Sequence, residues 1–362
     1  MTAMRALIAA GGTGGHIYPA LAVAQEIKRR NPESQVKFVG TARGLETKLV
    51  PQAGFELSLI ESAGLVNMGF IARARGLALL PRSFVGARRL LKAYKPEVVV
   101  GAGGYVTGPV LMTAALMRFP TLVMESNAVP GFTNRRLATF VTAAAVSFEV
   151  TVPFFRGKAI VTGNPVRPQF FEIPPKQRSD NRISLLLFGG SQGSRALNEA
   201  MVAALPLLAS IKDQLQVTHQ TGPSDFERVR QAYQQSNWSG ADVREYIDDM
   251  VAAFANADLI VARAGATTSA ELAAAGRAAI MVPLPGQLEQ QRNAEVLQAA
   301  GGARMILQAE LSGQRLATEI EKLIADPDRI SRMENAVRTL AYPRAAAATV
   351  DLIERLAAKA KR

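Results

Sequence analysis

This 362-residue chain has two histidines, His16 and His219, and the first stands in a setting that could do chemistry. It closes the run Gly11-Gly-Thr-Gly-Gly-His16, and Ile17-Tyr-Pro19 follows. Glycines let a backbone approach a ligand closely. Pro19 suits a first helical turn, where its missing N–H has no partner. An apolar run, a glycine turn and a helix start, in that order, make a place where amides and the helix dipole attract an anion. An imidazole there has its pKa lowered, which suits a neutral general base; the plainer role is a hydrogen bond bracing the loop. Arg167, after Gly163-Asn-Pro-Val, is either a diphosphate ligand or a linker arginine. Glu271 ends Gly265-Ala-Thr-Thr-Ser-Ala-Glu, where it either stabilises a helix dipole or accepts from a ribose diol. His219, before Thr221-Gly222, reads as structural.

The familiar nucleotide motifs do not fit. Neither Gly11–His16 nor Gly189-Gly-Ser-Gln-Gly-Ser194 is followed by the Gly-Lys-Ser/Thr of a triphosphate loop, and neither has G-x-G-x-x-G spacing. The strand expected at Val36–Val39 ends in Gly40-Thr41, without the acid a nicotinamide site wants for its ribose. A chain without cysteine forms no disulfide, iron–sulfur cluster or thiolate zinc site. Two histidines so far apart argue against a histidine-built metal site.

The elements that must position these residues read as a repeated plan. A strand precedes Gly11, and Ile17, Ala20, Leu21, Ala24 and Ile27 recur at helical spacing before Lys28-Arg-Arg30. Further strands are expected at Phe55–Ile60, Glu97–Val100, Thr121–Met124, Ala143–Phe148 and Ala159–Val161, with a helix from Glu46 to Val50. A second glycine loop spans Gly101–Pro109. The polar, proline-bearing stretch to Arg182 reads as a boundary, after which strand Ile183–Phe188, the loop Gly189–Ser194 and a helix from Ala196 restart the pattern. Gln216–His219, Val243–Ile247, Leu259–Val261 and Ala279–Val282 read as later strands. Two such restarts predict an α/β chain of two doubly wound, Rossmann-like domains facing a cleft. The domains expected are 1–163 and 164–344, with a terminal helix at 345–362 that packs on either.

The net charge of +12 implies an anionic partner. Between Met68 and Lys95, apolar residues alternate with Arg73, Arg75, Arg82, Arg88, Arg89, Lys92 and Lys95, and no acid appears. Such helices either pack one face on a sheet and solvate the other, or rest on anionic lipid headgroups; the overall charge favours the second. The short apolar run after Arg5 leads into the glycine loop and does not read as a signal peptide. No stretch reaches the roughly 18–20 apolar residues of a membrane span, so a cytoplasmic chain is the default.

Taken in order, Gly11–His16, Gly103-Gly-Tyr-Val-Thr-Gly-Pro109, Gly163-Asn-Pro-Val-Arg167, Gly189–Gly193, Tyr246-Ile-Asp-Asp-Met250 and Ala266–Glu271 resemble the MurG family over nearly the whole chain. The resemblance implies a GT-B glycosyltransferase at the cytoplasmic side of the inner membrane. It would transfer N-acetylglucosamine (GlcNAc) from UDP-GlcNAc to the 4-hydroxyl of the muramoyl pentapeptide on undecaprenyl diphosphate (lipid I), with inversion, giving lipid II. It implies no cofactor and no metal. By this resemblance Ile247 meets the uracil, Glu271 the ribose, and Ser191, Arg167 and the turn Ala266, Thr267, Thr268, Ser269 and Ala270 the diphosphate. Asn127 and Gln290 meet the transferred sugar. Thr13, Gly14 and Gly15 cross the cleft to the donor, His16 is the leading base, and Glu125 and Tyr105 are further catalytic candidates. Gly103, Gly104 and Asn134 belong to the acceptor side, and Met68–Lys95 becomes the patch on the anionic inner leaflet.

The chain departs from the family at three places. Met124-Glu125-Ser126-Asn127 replaces His-Glu-Gln-Asn, which removes a histidine and shifts weight to His16 or Glu125. Thr267 stands where leucine is usual, and Glu289 where a neutral side chain is commoner. The rival readings are a GT-B enzyme with another acceptor and a basic nucleic-acid-binding protein. Confinement of charge to one apolar stretch, with no aromatic stacking set, weakens the latter.

Overall fold

The computed structural model describes residues 3–62, 70–178 and 182–360. It divides into two compact units, one running to Arg167 and taking back the chain from Arg344, the other Pro168–Pro343.

The first unit alternates strands and helices: β1 (Arg5–Ala10), α1 (Gly14–Arg30), β2 (Gln35–Gly40), α2 (Glu46–Gln52), β3 (Glu56–Leu59), α3 (Phe70–Tyr94), β4 (Val98–Gly103), α4 (Thr107–Leu116), β5 (Thr121–Glu125), α5 (Phe132–Leu137), β6 (Ala143–Val146) and β7 (Ala159–Val161). Among the described residues its strands form a parallel sheet in the order β3-β2-β1-β4-β5-β6-β7. Ala6–Ala10 and Val98–Val100 are fully buried, as continuous apolar strands covered on both faces should be. The order reverses between β1 and β4, the position where open α/β sheets bind ligands beyond their strand ends.

The second unit repeats the plan: β8 (Ile183–Phe188), α6 (Arg195–Ala204), β9 (Leu215–Gln220), α7 (Phe226–Gln235), β10 (Asp242–Arg244), α8 (Met250–Asn256), β11 (Leu259–Ala262), α9 (Ala266–Ala275), β12 (Ala278–Met281), α10 (Leu288–Ala299), β13 (Ala303–Met305), α11 (Gly313–Ile324) and α12 (Pro327–Arg338). Its parallel sheet runs β10-β9-β8-β11-β12-β13, so the reversal falls between β8 and β11. The terminal helix α13 (Ala345–Ala360) returns to the first unit. There Val350, Ile353 and Leu356 join the core of β1 and α1, and Arg30 pairs with Asp351 (2.7 Å) and Glu354 (3.0 Å).

Four local expectations are corrected. Helix α1 starts at Gly14, so His16 lies on its first turn and Pro19 on its second. Strand β4 continues through Gly101–Gly103, because Gly101 pairs with Ala9, and Leu111 and Thr107 fill the space a side chain would need. Strand β10 stops at Arg244, leaving Ile247 in the following loop. The segment expected as several helices is one, α3, with Pro81 inside it. Met68 and the side chains of residues 63–78 lie outside the described residues. Beyond them Ser83, Ala87 and Leu91 are buried, while Arg82, Val85, Arg88, Arg89 and Lys92 are exposed.

Candidate active site

In the first unit the loops after β1 and β4 meet. Gly104 has φ +84°, and a Cβ there would fall 2.2 Å from the Gly11 carbonyl oxygen, so only glycine allows this approach. Thr107 Oγ1, buried at the start of α4, accepts from the Gly103 N–H (3.1 Å) and lies within donating distance of the Ala9 carbonyl (3.2 Å). The His16 ring lies against Gly103, and its Nδ1 is 3.3 Å from the Gly11 carbonyl. A carbonyl only accepts, so Nδ1 carries the proton and Nε2 keeps its lone pair. Burial of the ring lowers the His16 pKa, against the Gly11 hydrogen bond and the Glu46 charge, which raise it. The net effect is a lowered pKa, a neutral imidazole whose Nε2 is the accepting nitrogen.

Thr13 is the N-cap of α1, and Gly14 and Gly15 open it. Tyr105 is 52% exposed and its carbonyl accepts from Ser62 Oγ (2.8 Å). Arg167 lies over the Tyr18 ring, 5.8 Å from its centroid.

Glu125 ends β5 in a different manner. Its Oε1 accepts from the Asn127 N–H (2.9 Å) and Asn127 Nδ2 (3.0 Å), and its Oε2 from the Gly131 N–H (3.1 Å) and Asn134 Nδ2 (2.9 Å). These donors occupy its roughly four lone-pair positions. Burial pushes its pKa up, while the donors pull the other way. The carboxylate organises the segment from Asn127 to Asn134, and Asn134 is itself buried.

The second unit assembles its own loops. Gly193, at φ +73°, packs on the Thr221 carbonyl, where a Cβ would stand 1.9 Å away. This joins the exposed Ser191 loop to the end of β9. The buried Gln220 donates to the Gly190 carbonyl (2.8 Å) and accepts the Ile247 N–H (3.0 Å). Ser269 donates to the Gly265 carbonyl from both its N–H and its hydroxyl, fixing the first turn of α9. Asn293 Nδ2 holds the Ala264 carbonyl (3.1 Å). Arg263 spans Ser194 Oγ (3.0 Å) and Gln308 Oε1 (2.7 Å). Ala266, Thr267, Thr268, Ala270 and Glu271 are partly exposed on this N-terminal half of the helix, whose first turn suits an anion. Gln290 accepts from the Leu284 N–H (3.0 Å) and donates to Gln287 (3.1 Å).

Residues 6–146 match the glycosyltransferase family 28 N-terminal domain, and residues 184–355 the family 28 C-terminal domain. A UDP-N-acetylglucosamine--N-acetylmuramyl-(pentapeptide) pyrophosphoryl-undecaprenol N-acetylglucosamine transferase of Anaeromyxobacter sp. (strain Fw109-5) is 45% identical over 98% of this chain and 93% of its own length. The enzyme of that name from Geotalea uraniireducens is 44% identical over 97% and 98%. The crystal structure of Acinetobacter baumannii MurG superposes with a TM-score of 0.78 at 31% identity, covering 97% of this chain and 99% of that one. The chain belongs to the MurG family. A UDP-GlcNAc 2-epimerase from Neisseria meningitidis shares the fold alone, at TM-score 0.68 and 17% identity.

In this MurG-family chain Glu125 ends β5, His16 lies on the first turn of α1 and Glu271 on α9. Sequence reasoning missed Glu46, Thr107, Gln220, Arg263 and Asn293, which hold the loops. Thr107 and Gln220 are buried, but each has a polar or glycine neighbour in the sequence, which gave no signal of it.

Proposed function

We propose that His16 is the general base of a reaction in which this chain transfers GlcNAc from UDP-GlcNAc to lipid I, giving lipid II. The acceptor hydroxyl oxygen attacks the anomeric carbon as the bond to the UDP phosphate oxygen breaks, and the hydroxyl proton passes to His16 Nε2. One displacement of this kind inverts the anomeric centre. The observation that carries the base assignment is the Gly11 carbonyl at Nδ1, which leaves Nε2 as the acceptor.

In this reading Arg167, Ser191 and the amides of Ala266–Ser269 meet the charge that develops on departing UDP. Ile247 meets the uracil, Glu271 the ribose, and Asn127 and Gln290 the GlcNAc. Thr13, Gly14 and Gly15 also approach the donor, and Gly103, Gly104, Tyr105 and Asn134 form the acceptor side. Glu125 positions Asn127 and Asn134, because its lone pairs are already taken. The exposed cations of α3 rest on the anionic cytoplasmic leaflet. Among the described residues no helix is long and apolar enough to cross a membrane.

The test is transfer of labelled GlcNAc to a lipid I analogue, with UDP-glucose and UDP-N-acetylgalactosamine competing. His16→Ala is expected to lose about 10²–10⁴-fold in kcat while UDP affinity is kept. Ordinary turnover in that variant removes His16 from the mechanism.

A further inference from the structure

We propose that Glu46 is a positioning residue for His16, fixing through its carboxylate the glycine loop against which the imidazole is held. The inference rests on the reading of His16 as the base.

Glu46 opens α2 with no exposed surface. Its Oε2 accepts the Gly12 N–H (2.9 Å), and its Oε1 accepts both the N–H and the hydroxyl of Thr41 (each 2.9 Å). The neighbouring Leu45 N–H reaches the Gly12 carbonyl (3.2 Å), so this segment grips Gly12 from both sides. Three glycines clear the space. A Cβ would fall 2.7 Å from Oε1 at Gly11, 2.5 Å from Cγ at Gly40 and 1.9 Å from Oε2 at Gly44.

Among the described ion pairs no lysine or arginine meets this carboxylate. A buried carboxylate held by backbone and hydroxyl donors alone is expensive to desolvate, and an apolar residue would fill the space at lower cost. What the carboxylate supplies is a fixed Gly12 amide, and the adjoining Gly11 carbonyl is the partner of His16 Nδ1. Its negative charge lies behind the same loop and raises the basicity that burial lowers. From the elements packed on the ring, Gly11 and Gly103 add no charge.

Glu46→Gln turns an amide N–H₂ or a weaker acceptor toward Gly12 and removes the charge. Gly44→Ala keeps the charge but drives the carboxylate off Gly12, and serves if Glu46→Gln fails to fold. Both should lower kcat roughly tenfold to a hundredfold with UDP affinity unchanged. The acid limb of kcat/KM should move to lower pH in Glu46→Gln, because the imidazole loses a stabilising negative charge. A limb at the wild-type position, whatever the loss in kcat, makes Glu46 merely structural and overturns the inference. Wild-type kcat in Gly44→Ala does the same. Ordinary turnover in His16→Ala instead overturns the reading of the base, and the two failures are told apart in one series.

Discussion

Two side chains beside strand ends, Glu125 and His16, are put to different uses by their surroundings. Glu125 is a carboxylate at a strand end whose oxygens are saturated by the segment it orders. His16 is held by one ring nitrogen, and its other nitrogen keeps a lone pair. Gln220 is a third case, since one amide joins the Gly190 turn to Ile247. Gln220→Leu strips the buried Ile247 N–H of its acceptor, a loss of roughly 1–3 kcal/mol. Urea unfolding should show that loss, and weakened UDP binding by calorimetry would support the proposed contact of Ile247 with the uracil, whereas wild-type affinity would remove it. Gln220 and Glu46 escaped sequence reasoning because their partners are 27 and 34 residues away. His16 did not escape, because its glycines are its immediate neighbours.

At the scale of the element, α3 packs one face and solvates the other, and its exposed cations carry the proposed membrane contact. Ser83, Ala87 and Leu91 bury one face against the sheet, and Arg82, Arg88, Arg89 and Lys92 are solvated on the other. Exposed cations near an anionic surface contribute about 1 kcal/mol each. Neutralising these four to glutamine should therefore cut vesicle binding by about three orders of magnitude. Turnover on a water-soluble acceptor analogue should be retained, since the buried face is untouched. Equal loss with both acceptors would place α3 in folding or catalysis and away from the membrane. In α9 the sequence showed the helix but not its bracing: Asn293 holds the preceding turn from α10, and Arg263, within that turn, ties it to Ser194 and Gln308.

At the scale of the molecule, each unit has its own core, and a histidine buried in the second couples its stability to pH. His219 is fully buried; its Nε2 meets Asn198 Oδ1 (3.0 Å) and its Nδ1 meets the Tyr233 hydroxyl (3.1 Å). Burial depresses its pKa to about 3. The unfolded chain takes up this proton below about pH 6.5, whereas the native unit resists until about 3. Stability is therefore full above 6.5 and falls with pH, by roughly 2 kcal/mol between pH 7 and 5. Trp238, the chain's one tryptophan, lies in the same core and reports the transition in urea. His219→Gln should flatten that slope, and an unchanged slope would mean that other groups set it.

The sequence by itself determined the alternation of strand and helix, the restart at Ile183 and the glycine turns. Those features depend on neighbours a few residues apart, through hydrophobic period and turn chemistry. Strand β13 and the true end of β10 were not legible, because Arg304 interrupts the apolar run of the first and Tyr246-Ile247 prolongs that of the second. The tertiary structure alone decided the strand orders that reverse between β1 and β4 and between β8 and β11. It also decided that α13 returns to α1 and that Glu46 stands behind the first glycine loop. These rest on hydrogen bonds and packing between segments tens to hundreds of residues apart, whose geometry exists only once the parallel sheet has set the strands side by side.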